Sequence, residues 1–109
     1  MLEHRGEIDG QSFTLRGVSH RQMAEISKLG KVSGANWGLA FRPNHSGEIW
    51  DLAVRTDLSD ERVASTIAHE LLHVGDWHKS EEWVDATSIA IGKALIAMGF
   101  RRTKDGKET

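Results

Sequence analysis

The chain contains no cysteine, no tyrosine and a single proline. Lacking cysteine, it cannot build a disulfide scaffold, a thiolate zinc finger, an iron–sulfur centre or a cysteine nucleophile. Lacking proline beyond Pro43, it has little material for a stiff linker. No apolar run approaches the roughly 18–20 residues of a membrane span, and the polar first ten residues lack a signal-peptide core. These absences point away from membranes and toward a cytoplasmic protein, and they give no signal for an oligomeric state. Neither sign of charge dominates: 14 Lys and Arg stand against 16 Asp and Glu, a formal net charge of −2. That balance argues against a protein built to coat nucleic acid or an anionic lipid surface.

Against these absences stand six histidines in 109 residues. With 39% hydrophobic and 28% charged residues, the chain fits one folded domain. A domain this small buries only about 60–65% of the surface its unfolded chain exposes, so its core is thin and a bound metal is a useful supplement.

The local patterns predict an α+β domain over residues 1–100, followed by a solvated, disordered basic tail over 101–109. Asp9-Gly10 marks a two-residue turn in a hairpin over residues 2–16. Ser19 and Gln22 form a capping box that opens a short helix through Met23, Ile26 and Leu29, with Gly30 as its stop. A loop follows over residues 31–36. Trp37, Leu39 and Phe41 alternate with Gly38 and Ala40, and Trp50, Leu52 and Val54 alternate with Asp51, Ala53 and Arg55. These two strands are expected to pair as an antiparallel hairpin across the turn-rich residues 43–47.

Ser59 caps a second helix, with Asp60 and Glu61 in its first turn, running to about Val74 and ending at Gly75. Ser80 caps a last helix of about 18 residues with Glu81 and Glu82 in its first turn. Val84, Ile91, Leu95 and Met98 form its expected core stripe, and Gly99-Phe100 a Schellman stop. The sum is a small antiparallel or mixed sheet with three helices.

The informative string is Thr66-Ile67-Ala68-His69-Glu70-Leu71-Leu72-His73-Val74-Gly75. Residues i and i+4 of a helix share a face, so His69 and His73 can hold one cation, and nitrogen ligands at that spacing suit zinc. Glu70 lies beside them, placed to deprotonate a metal-bound water whose pKa zinc brings to about 7. A shuffled chain of this composition contains such a string about 3% of the time. Its setting, a capped amphipathic helix with apolar flanks, therefore has to carry the rest.

The string resembles the active helix of the zincin metallopeptidases. The order from about Gly47 to Phe100 resembles small stand-alone zincin-like proteins of bacteria and phages. The resemblance implies a zinc-dependent peptide hydrolase with His69 and His73 as ligands, Glu70 as general base, and a strand near the helix along which an extended substrate lies. The metal would sit between the last two helices.

The third ligand is open at this stage. Metzincins place a third histidine six residues after the second, whereas His78 comes five after His73. Gluzincins draw an acid from the following helix, which here offers Glu82, Glu81 and Asp85. Glu82 is the first choice, because it shares a face with Ala86 and Ile89.

With no tyrosine to stabilise an oxyanion, His20, His45 or Arg42 are the stand-ins. Trp77 and Trp83 flank the expected metal loop. Two other functions fit the same residues: a non-catalytic binding protein stabilised by zinc, and a metal-dependent endoribonuclease. The second needs a basic cleft, and only the tail supplies basic residues.

Overall fold

The computed structural model describes residues 2–29, 37–42 and 49–103. The loop expected at 31–36, the stop at Gly30, the turn at 43–47 with His45, and residues 104–109 lie outside them. The chain runs β1 (Glu3–Ile8), β2 (Gln11–Val18), α1 (His20–Leu29), β3 (Gly38–Phe41), β4 (Trp50–Arg55), α2 (Asp60–Gly75) and α3 (Glu81–Ala97). This is an α+β fold with three helices and one small mixed sheet of order β1-β2-β4-β3. β2 and β4 pair in parallel, and the two outer pairings are antiparallel.

The turns and caps follow from the residues that occupy them. Asp9 and Gly10 both take positive φ, 48° and 79°, which is what a two-residue turn matching the strand twist requires. At α1, Ser19 and Gln22 exchange side-chain bonds with each other's backbone N–H, at 3.1 and 2.8 Å. The Ser59 and Ser80 hydroxyls accept from the N–H of Arg62 and Trp83. Gly99, at φ 94°, ends α3 with bonds from Gly99 N to Ile96 O and from Phe100 N to Leu95 O, the Schellman pair.

Each sheet face is covered by one helix. Phe13, Trp50, Leu52 and Val74 form a core under α2, with Leu15, Ala40 and Leu71 packed against it. On the other face Val18, Met23 and Ala53 pack with Ile26 of α1 and Leu39. The third helix lies on α2 instead of on the sheet, and this changes its buried stripe.

Val84 is fully buried, but the next buried positions are Ser88 and Gly92, while Ile91 and Met98 are 37% and 78% exposed. Small residues fill the seam because the helices lie close together. A Cβ on Gly92 would sit 2.8 Å from Ser65 Cβ and 3.0 Å from the Glu61 carbonyl oxygen. Gly92→Val is therefore expected to cost about 1–3 kcal/mol by overpacking, read as a lower midpoint in urea unfolding.

The described part of the expected tail is exposed at Arg101 and Arg102 yet tied to the fold. Arg102 donates to Asp60 Oδ1 at 2.6 Å and to the carbonyls of Thr56 and Leu58 at 2.7 Å each. A fork of donors meets three acceptors at the start of α2, which the basic character of residues 101–109 did not reveal. Among the described residues no helix is long and apolar enough to cross a membrane.

Candidate metal centre

The centre is built on α2 and closed by the first turn of α3. Helical spacing puts the His69 and His73 rings 4.7 Å apart, edge to face, with their Nε2 atoms at 3.0 Å. Glu81 brings its carboxylate to both: Oε1 lies 2.9 Å from His73 Nε2 and Oε2 lies 3.4 Å from His69 Nε2. Asp85, one turn further along α3, places Oδ1 3.0 Å from the other ring nitrogen of His69, Nδ1.

The ring nitrogens and Glu81 oxygens lie 2.9–3.4 Å apart in pairs, a spacing that could hold a cation such as a tetrahedral zinc. Ligand atoms at 2.0–2.1 Å from such an ion lie about 3.3–3.4 Å apart, close to the separations found here. Two sets of groups can converge on a cation: His69, Glu70 and His73, and His69, Glu81 and Asp85.

The acids of α3 fall differently from the first expectation. Glu82 is exposed and makes no hydrogen bond or ion pair among the described residues, because its helix face, shared with Ala86 and Ile89, points outward. Burial of Val84, Ser88 and Gly92 turns Glu81 and Asp85 toward α2 instead. His78 is exposed; its backbone N–H bonds Asp76 Oδ1, and its side chain is not among the groups that converge on His69.

Two features of the imidazoles suit a ligand role. Asp85 is placed to accept a hydrogen bond from a His69 Nδ1–H, the tautomer that turns the Nε2 lone pair toward His73 and Glu81. Burial lowers the pKa of His73, against the charges of Glu81 and Asp85, which raise it, so its neutral form is favoured. Its Nδ1 is buried with no hydrogen-bond partner among the described residues.

Glu70 is 5% exposed and makes no ion pair among the described residues. Burial, reinforced by the negative charge of Glu81, pushes its pKa up to about 8. A folded-state pKa above the unfolded value means that the metal-free protein is stabilised below about 4.5. It loses that stability as pH rises through about 8. Glu70→Gln should therefore raise the stability of chelator-treated protein at high pH, by up to several kcal/mol, and change little at acid pH. Urea unfolding at the two pH values measures the difference.

Around the acid lies a cleft of about 350 Å³ lined by Trp37, Gly38, Thr66, His69, Glu70, Asp85 and Ile89, among others. Gly38 makes room for the carboxylate: a Cβ there would stand 2.5 Å from Glu70 Oε2 and 2.7 Å from the Thr66 methyl. A glycine inside an alternating strand is the sequence signal for such a close approach.

Among the described residues β3 is an edge strand, hydrogen-bonded to β4. The Arg55 N–H donates to the Trp37 carbonyl. With Leu39 opposite Ala53 and Phe41 opposite Asp51, the antiparallel alternation turns the N–H and C=O of Gly38 and Ala40 away from β4.

On the other side of the histidines, Trp77 lies 5.5 Å from His73 and 5.5 Å from the core residue Trp50. Arg42 stacks on Trp77 and is thus near the centre, whereas His20 lies beside Asp57 at the start of α1. Trp83 carries Lys79 over its ring.

No model of a known protein family, no curated protein and no solved structure matches this chain.

Proposed function

We propose that the chain is a zincin-like, zinc-dependent peptide hydrolase, with His69, His73 and Glu81 as metal ligands and Glu70 as general base. The observation that carries this reading is the meeting of the Glu81 carboxylate with both imidazoles beside a buried Glu70. Zinc at such a centre lowers the pKa of a bound water and polarises a carbonyl.

The chain's own residues supply the rest. Asp85 holds the His69 ring by its Nδ1–H and so fixes which nitrogen is offered. Glu70, kept proton-hungry by burial, takes a proton from water in the cleft and returns it to the leaving amine. An extended peptide can add to the free edge of β3, with the outward backbone groups of Gly38 and Ala40 as its partners. That docking brings its backbone past Gly38, against which the Glu70 carboxylate packs. Arg42, near Trp77, is one candidate cation for a developing oxyanion.

The test is hydrolysis of casein and of a broad peptide library, followed by mass spectrometry, with zinc and with chelator. Cleavage that needs zinc and disappears in Glu70→Gln supports the peptidase. Stoichiometric zinc without cleavage of any peptide would make the chain a zinc-stabilised binding protein instead.

A further inference from the structure

The outer face of α3 has no partner among the described residues. From Ala86 to Ala97 the only charged residue is Lys93, although Ala86, Ile89, Ala90, Lys93 and Ala97 are all exposed. Ile89 alone leaves 49% of its surface open. A helix that is apolar on its solvent side as well as its packed side is normally buried on both.

Two charges mark this face, Glu82 near its start and Lys93 near its end. Neither makes a hydrogen bond or ion pair among the described residues. They are separated by eleven residues, about 16 Å along the axis, and both point outward with Ala86 between them.

We propose that α3 is the two-fold interface of a homodimer, in which two copies pair antiparallel along this face. An isologous interface puts residue i against j and j against i. A two-fold axis midway between Thr87 and Ser88 sets Glu82 of each copy against Lys93 of the other, twice per dimer. The same axis sets Ala86 against Ile89, so a small residue receives a larger one at the centre. Alanines at 86 and 90 let the axes approach to the 8–10 Å of packed helices. No other pairing of the face with itself matches both charges. Because Ile89 also lines the cleft around Glu70, the second copy would border the mouth of that cleft.

The test is sedimentation equilibrium of the full chain, with circular dichroism to confirm the fold of each variant. Wild type is expected to dimerise reversibly. Glu82→Lys and Lys93→Glu should each weaken the dimer about tenfold or more, since each removes two ion pairs and creates two repulsions. The double variant, which swaps the charges, should regain wild-type affinity. A wild type that stays monomeric up to about 1 mM, singles with unchanged affinity, or a double variant no tighter than the singles would each overturn the proposal.

A second measurement does not depend on charge. The chain has no cysteine, so Ala86→Cys introduces the only thiol, and the two-fold axis brings it near its own copy. Mild oxidation should give a disulfide-linked dimer, and Lys93→Glu in the same chain should slow its formation.

Discussion

Glu70→Gln is expected to lower peptide hydrolysis by 10²–10⁴-fold while leaving zinc content and fold intact, since the general base contributes a factor of that order. The substitution keeps the shape of the side chain beside Gly38 and Thr66, so the cleft keeps its form. It also removes the cost of a buried carboxylate, so the inactive variant should be at least as stable as wild type. That combination separates a catalytic from a structural role. His69→Ala, by contrast, should lose zinc and activity together, because it removes a donor atom. Turnover and metal analysis on the same preparations measure both.

The second large effect concerns the acids of α3. Glu81→Gln is expected to weaken zinc binding by 10-fold or more, because it removes the carboxylate that meets both imidazoles. Asp85→Asn should cost about 10-fold by loosening the hold on His69 Nδ1. Glu82→Gln should leave the affinity unchanged. Competition with a chelating dye of known affinity reads all three. A loss confined to Glu82→Gln would return the ligand to the residue first expected from the sequence.

That Glu81, and not Glu82, lies against the histidines has a physical cause. Adjacent helical residues point about 100° apart, so the choice between Glu81 and Glu82 is a question of how α3 is rotated against α2. Large apolar residues suggested a stripe through Ile91 and Met98. The rotation is set instead by the small residues Ser88 and Gly92, which let the helices meet backbone to side chain. A search for a seam of small residues would have turned the helix the right way.

Features written in a few neighbouring residues were legible. The hairpin at Asp9-Gly10, the serine caps of all three helices and the Schellman stop at Gly99 each depend on local chemistry. The i, i+4 spacing of His69 and His73 is of the same kind. What could not be read joins distant residues. Gly38 meets Glu70 across the β3–α2 packing, and Arg102 reaches back to Thr56, Leu58 and Asp60. The parallel pairing of β2 with β4, which places β3 at the edge beside the cleft, is likewise a property of the whole topology.

The most direct measurement is anomalous diffraction at the zinc edge from crystals grown with stoichiometric zinc. One peak per chain is expected, bonded to Nε2 of His69, Nε2 of His73 and a carboxylate oxygen of Glu81 at about 2.0–2.2 Å, with Glu70 near it but unbound. No peak at the two histidines, or an ion held there without Glu81, would contradict the assignment.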